Sequence, residues 1–485
     1  IPPHLIGEAF LKHFDILPNT PLAYAHTMVD YVPLAMEYGQ LGGLDHTTTL
    51  IKAIRSERGD DKVLLLDGGD TWQGSYTSLK TQGADMVEVM RALGTEAMVG
   101  HWEFTFGQDR LKELIDKLGY PFLGSNVFDT EWDEPVFEST AFFEKGGVSI
   151  AVIGQHFPYT PIANPSYMVK GWSFGIRPEV LQKNVNKAKK QGAEIVVLLS
   201  HNGFDVDQKL ASMIDGIDVI LTGHTHDAIP KGIRINDTLL LSSGSHGKYL
   251  GRIDLKVKNG KVVDTSSNLI PVFSDVIPPD PDMTNLINKI RAPYQEVCNR
   301  VIGKTETLLY RRGNFNGSWD DVICDTIIQE RDTEISLSPG FRWGTTLLPG
   351  QKITIDDIYS QTSMNYPEVY RIEMTGKMIK EILEDVCDNI FNPDPFFQQG
   401  GDMVRVGGLT YTCHPKNKMG NRISNLRIIS SDKPIESNKN YVVGGWGSVN
   451  QNVKGPPIYN LLENYISEKK IIKSSNLEAV KIVGM

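Results

Sequence analysis

Little in this sequence points to redox or zinc-ribbon chemistry. It holds four cysteines, Cys298, Cys324, Cys387 and Cys413. None stands in a Cys-x-x-Cys pair, so the expectation is four buried thiols. No apolar run reaches the roughly 18 residues of a membrane-crossing helix, and no secretory leader is legible. Positive charge is not in excess: 49 Lys plus Arg stand against 59 Asp plus Glu, a net charge of −10. That balance speaks against a broad surface for nucleic acid or an anionic membrane. Internal repeats and low-complexity stretches are also lacking. What is present is length, 485 residues with 40% hydrophobic content, enough for more than one core.

Periodicity organises the rest. Residues 1 to about 42 read as an irregular surface segment with one helix near Leu5–Phe14. Helix and strand signals then alternate. His46–Arg58, Asp85–Leu93, Pro178–Gln191 and Asp205–Ile214 read as helices. Lys62–Asp67, Ser149–Gly154, Glu194–Ser200, Asp218–Thr222, Thr238–Ser242 and Arg252–Val257 read as strands. Apolar strands without alternation, set between amphipathic helices, indicate an α/β sheet covered on both faces. The proline-rich run Ile277–Pro281 interrupts the pattern, and a helix from Met283 to Val301 reads as a linker. The expected division is residues 1–276, a linker over 277–302, and a second mixed α/β domain over 303–485 with helices Asp320–Arg331 and Gly376–Asn389.

Four loops carry the chemistry, each following a strand, where ligands gather in open α/β sheets. They are Asp67-Gly68-Gly69-Asp70, Gly100-His101-Trp102-Glu103, Ser200-His201-Asn202-Gly203 and Gly223-His224-Thr225-His226-Asp227. Taken singly, each has an ordinary explanation: an Asp that caps a helix, or a hydrogen-bonded surface histidine. Together they hold four of the chain's 11 histidines in one structural setting. Imidazole with carboxylate suits divalent Mn, Fe or Zn, and two such ions roughly 4 Å apart can activate water and clamp an anionic ester.

The order of these motifs resembles the calcineurin-like metallophosphoesterases of the 5'-nucleotidase type. Residues Gly100–Gly107 (GHWEFTFG), Phe157–Pro165, Arg311–Gly317, Ser338–Thr346 and Gln399–Gly408 narrow the likeness to the SoxB thiosulfohydrolases of bacterial sulfur oxidation, over nearly the whole chain. The resemblance implies a four-layer αββα metal domain, a linker helix and a 5'-nucleotidase-type C-terminal substrate domain. It implies two manganese ions, with Fe or Zn compatible with the same donors. Asp70 would bridge them; His101, His201 and His224 would bind one, and His226 the other. Arg342 would hold the substrate anion, with Asp402 and Arg405 as weaker candidates, and Trp102 stands where a phosphoesterase has its catalytic His. As a packing residue Trp102 would do nothing chemical. As a site residue it would shape a slot for a sulfonate whose persulfide leaving group needs no acid. The superfamily's first Asp-x-His strand is not found, and the adjacent Asp45-His46 does not replace it. That strand and an export signal are therefore expected to precede residue 1.

The leading expectation is hydrolysis of a carrier-protein cysteine S-thiosulfonate to sulfate in the periplasm. The implied partner is a SoxYZ-like carrier whose cysteine sits on a flexible arm. The alternative is a periplasmic 5'-nucleotidase-like phosphohydrolase, which would want a base sandwich from rings such as Tyr366, Phe396 and Phe397. A third reading is a metal-stabilised binding protein or an inactive fragment.

Overall fold

The computed structural model describes residues 7–311, 313–341, 344–450, 453–474 and 479–484. It contains two compact units. One comprises residues 7–73 and 80–292; the other comprises 74–79 and 293–485.

In the first unit a six-stranded sheet runs in the order Thr140–Lys145, Val148–Gln155, Ile195–Ser200, Val219–Thr222, Thr238–Ser242, Ile233–Ile235. Its inner pairs are parallel and its two outermost pairs antiparallel. Against it lie a short parallel pair, Leu66–Asp67 with Ala97–Met98, and the hairpin Tyr249–Lys258/Lys261–Pro271. The side-chain period of two explains the layering. Leu64, Leu66, Ile253 and Leu255 point into a core shared with Val152, Ile195, Val197 and Leu199 of the large sheet. Leu65 and Leu250 point the other way, into a core with Ile51, Val89, Leu93 and Met283. These last come from helices Leu44–Arg58, Ala84–Leu93 and Pro281–Arg291. Helix Pro178–Lys190 covers the far face of the large sheet. The result is the four-layer αββα arrangement that the family resemblance implies, with the large sheet covered on both faces as its uninterrupted apolar strands indicate.

Three expectations need correction. Among residues 7–42 the helix expected near Leu5–Phe14 is present as Gly7–His13, but two more, Pro21–His26 and Tyr31–Tyr38, stand where an irregular segment was expected. Pro21–His26 is capped by Thr20, whose side chain accepts the Ala23 N–H; with so short an apolar face, its periodicity is faint in sequence. Of the run Lys62–Asp67 only Leu66–Asp67 is paired as strand. The helix expected over Met283–Val301 breaks after Arg291, where Pro293 cannot continue it, and resumes only over Gln295–Cys298.

The second unit holds a four-stranded sheet in the order Tyr370–Thr375, Asn440–Gly445, Ile335–Ser338, Arg405–Gly407, and another built on Leu409–Cys413 and Ile423–Ile428. Helix Gly376–Phe391 buries Ile379, Leu383, Cys387 and Ile390 against both.

Candidate metal centre

Every site loop of the first unit leaves the C-terminal end of a strand: Leu66–Asp67, Ala97–Met98, Val148–Gln155, Ile195–Ser200 and Val219–Thr222. The structure brings Asp70, His101, His201 and His224 together, with one potential ligand atom from each lying within 4.8 Å of the others. The gathering comes at a cost in backbone conformation. Asp70 and His224 adopt left-handed φ, at 62° and 75°, a region that non-glycine residues enter mainly where surroundings enforce it; His226, beside the cluster, does so too, at 57°. Gly69 shares the Asp70 turn at φ 86°. A Cβ there would sit 2.7 Å from the Val99 carbonyl and 3.1 Å from the His201 ring, so only glycine lets the loop approach.

Asp70 is the hub. Its Oδ2 lies 2.9 Å from His201 Nε2 and its Oδ1 3.2 Å from His101 Nδ1. Oδ1 also accepts the Trp102 N–H at 3.0 Å. Burial opposes ionisation of Asp70, but the two imidazoles overcome it and hold the carboxyl well below the usual range. His201 shows the reciprocal effect: burial disfavours its charge, yet Asp70 pushes it up to about 9. A proton on His201 Nε2 thus stands where a cation would serve the same carboxylate. The opposite nitrogen, Nδ1, bonds the Gly68 carbonyl, the outer contact that orients a ligating histidine. One carboxylate with three imidazoles, gathered this closely, fits a divalent transition ion.

Two parts of the frame lie outside the expected ligand set. Glu103, fully buried, accepts the N–H groups of Asp70 (3.2 Å), Thr71 (2.7 Å), Trp72 (3.3 Å) and His101 (2.8 Å). It ties the first two loops to one carboxylate, which burial and neighbouring Asp70 push up to about 7. Asn164 donates to His101 Nε2 at 3.2 Å, and Phe157 stacks on His224 at 4.0 Å. The signal for Glu103 lay inside its own motif. Phe157 and Asn164 lie in a stretch whose likeness to a family gave no role for single residues.

His156 is also part of the frame. Its Nδ1 accepts the Gly100 N–H at 2.8 Å. The ring lies on Phe122 at 4.6 Å, with burial pushing it down to about 3, so it is a neutral acceptor. Gly124 leaves room for it, since a Cβ there would come within 2.3 Å of Nε2. Replacing His156 with Phe keeps a ring in place but orphans the Gly100 N–H beside His101. The expected result is divalent-metal affinity weakened roughly 10–100-fold, read by titration calorimetry, with the thermal midpoint shifted only by the one lost hydrogen bond.

The remaining expected site residues divide. His226 is not one of the four gathered groups, and its ring stands 6.4 Å from that of His246. Trp102 is 7% exposed and tilts against His101 at 5.3 Å. Arg342 falls outside the described residues. Asp402 and Arg405, expected near substrate, are instead buried in an ion network. Arg405 Nε meets Asp320 at 3.1 Å and its Nη2 meets Asp402 at 3.4 Å. Arg311 Nε meets the other Asp320 oxygen at 2.7 Å. Arg311 also donates to the carbonyls of Pro339 and Gln361, so the network braces the Ser338–Phe341 loop. A Gly-rich loop reads the same in sequence whether its arginine turns in or out. Arg405→Met would leave Asp320 short of a partner and is expected to cost roughly 3–5 kcal/mol. Denaturant unfolding would read that loss, with metal affinity unchanged.

Among the described residues of the second unit, the stacked ring pairs Phe315–Phe391 at 6.1 Å and Tyr359–Tyr459 at 4.5 Å are spaced too closely for a base between them, which needs about 7 Å, two contacts of about 3.5 Å.

Comparison with known proteins adds the following. Residues 301–447 match the family described as 5'-nucleotidase, C-terminal domain. Over 89% of this chain and 84% of its own length, the 5'-nucleotidase of Bos taurus is 24% identical. Among solved structures, the Thermus thermophilus protein titled sulfate thiohydrolase SoxB is 36% identical, with a TM-score of 0.96, over 100% of this chain and 91% of that one. A 5'-nucleotidase precursor, also from Thermus thermophilus, shares the fold, with a TM-score of 0.79 at 20% identity over 92% of this chain and 94% of that one.

Proposed function

The chain belongs to the 5'-nucleotidase superfamily, and from that premise we propose that it hydrolyses a cysteine S-thiosulfonate carried on a partner protein, releasing sulfate. The observation that carries this reading is the likeness to the Thermus thermophilus sulfate thiohydrolase at 36% identity over all of this chain. The curated 5'-nucleotidases are more distant, at 24% for the bovine enzyme.

Divalent cations, manganese in this proposal, would supply activated water and charge neutralisation at the site. Asp70, His101, His201 and His224 would hold them. His226 would serve a second ion, completed by ligands beyond the described cluster. The chain's own residues account for the rest. Glu103 and His156 fix the peptide planes that aim Asp70 and His101. Asn164 and Phe157 keep the His101 and His224 rings from turning. Trp102, packed beside His101, carries no titratable proton. An alkoxide leaving group needs a proton donor, whose help is worth roughly 10²–10⁴-fold. A persulfide is far less basic and departs without one. The indole therefore suits a sulfur leaving group better than an alkoxide. Arg342 is the proposed anion holder, since a guanidinium fork matches a tetrahedral oxyanion. The proposed setting is the periplasm, and the proposed partner a carrier whose cysteine rides on a flexible arm.

The test is a direct comparison. Manganese-loaded protein is incubated with a carrier cysteine S-thiosulfonate and, separately, with nucleoside monophosphates. Sulfate release from the carrier with negligible phosphate release is expected. Brisk phosphate release with an inert thiosulfonate would replace this reading with the nucleotidase one.

A further inference from the structure

The second unit holds a feature the metal chemistry does not use. Cys387, on helix Gly376–Phe391, and Cys413, at the end of strand Leu409–Cys413, are both free and fully buried. Their sulfurs lie 3.6 Å apart. They sit in the unit's main core among Leu383, Ile390, Tyr411 and Ile423.

What surrounds them is well fixed. Glu384, one turn before Cys387 on the same helix, accepts the N–H groups of Gly420 (2.8 Å), Arg422 (3.1 Å) and Ile423 (2.8 Å). Ile423 is the cross-strand partner of Cys413. Arg422 in turn pairs with Asp388 and donates to the Phe391 carbonyl at 3.2 Å. The helix and the strand pair are thus pinned to one another on either side of the two thiols. Backbone position at both cysteines is set by these bonds and not by the sulfurs. From 3.6 Å the sulfurs would close to the roughly 2.05 Å of a disulfide.

We propose that Cys387 and Cys413 are a cross-linking site, joined as a disulfide when the chain folds in the presence of a disulfide oxidant. The exchange is balanced. One cysteine thiolate attacks a small disulfide, forming a mixed disulfide and releasing one thiol. The second thiolate attacks the bound sulfur, forms the Cys387–Cys413 bond and releases the second thiol. Protein sulfur is oxidised by two electrons and the donor disulfide is reduced to two thiols. Since both side chains are sealed in the folded core, the exchange takes place before that core closes.

The bond would enclose residues 388–412, the segment that carries Asp402 and Arg405. Those two residues anchor the ion network with Asp320 and Arg311. The cross-link would therefore tie down the segment on which the brace of the Ser338–Phe341 loop depends. It does so whichever substrate the metal centre takes, so it stands apart from the proposed reaction.

The experiment uses the whole chain. Protein is refolded with glutathione disulfide or with reduced glutathione, then unfolded in acid, alkylated and mapped by mass spectrometry. Oxidised refolding should yield a linked pair of peptides containing Cys387 and Cys413, and two alkylated thiols in place of four. The thermal midpoint should rise by about 5–10 °C over the reduced form. Cys413→Ser should abolish the linked peptide. Four reactive thiols after oxidative refolding would overturn the proposal. So would a bridge to Cys298 or Cys324, or a correctly linked protein whose midpoint does not rise.

Discussion

Replacing Asp70 with Asn is expected to reduce hydrolysis of the true substrate by at least roughly 10³-fold, beyond the cost of removing a single transition-state donor. The substitution keeps the shape of the side chain and one oxygen acceptor for the Trp102 N–H. It removes the charge that sits between His101 and His201. Those two rings are 5.3 Å apart, and a carboxylate between them is what allows positive charge to gather there. The same variant should bind divalent metal far more weakly, and titration of the purified protein would measure that independently of any assay. His201 supplies a further readout. Asp70 is the chief reason that ring is pushed up to about 9. In metal-free Asp70→Asn its titration, followed by NMR, should fall well below that of the wild type, because burial is then opposed only by the Gly68 carbonyl and the Glu103 carboxylate. An unchanged metal affinity would remove Asp70 from the centre of the site.

Glu103→Ala should have the next largest effect, and on two quantities at once. Four backbone donors lose their acceptor in a fully buried position, each worth about 1–3 kcal/mol when left unsatisfied. The sum will be partly relieved by relaxation and water entry, so a loss of roughly 3–5 kcal/mol in unfolding free energy is expected. Since the donors belong to Asp70, Thr71, Trp72 and His101, metal affinity should fall with stability. Glu103→Gln tests the charge separately. It keeps one oxygen for the donors but turns an NH₂ group toward the others, and should fall between the wild type and Ala in both measurements. Full metal affinity in the Ala variant, at whatever stability, would show that the two loops hold their shape without the shared carboxylate.

Much of the first unit was legible because its strands announce themselves twice, by apolar composition and by the polar residue that ends each one. Ile195–Ser200 followed by His201 is such a case. The four residues that the structure gathers, Asp70, His101, His201 and His224, could be named as candidate ligands because three strand-end histidines and one aspartate recur in that single context. Beyond the helix at Gly7–His13, the helices Pro21–His26 and Tyr31–Tyr38 were not legible: they are six and eight residues long, too short to show a clear 3.6-residue stripe. Glu103 was overlooked as a functional group because its partners are backbone N–H groups, which have no letter in a sequence. Arg405 was misplaced for the opposite reason. Its loop is rich in glycine, as substrate loops are, but its charge is matched to Asp320 and Asp402 in the interior. Burial is set by distant elements such as helix Ser318–Arg331, which supplies Asp320, and no local pattern encodes it.

The left-handed backbone at Asp70, His224 and His226 also bears on how this protein would wear out. Each of these residues would relax to a commoner conformation if its surroundings let go, and the relaxed loops would no longer hold Asp70 and His224 in the cluster. Mild heat or denaturant should therefore cost the protein its ions before it costs the protein its sheets. Slow inactivation would then begin at the centre and be forestalled by excess metal, with the scaffold outliving the activity it was built to hold.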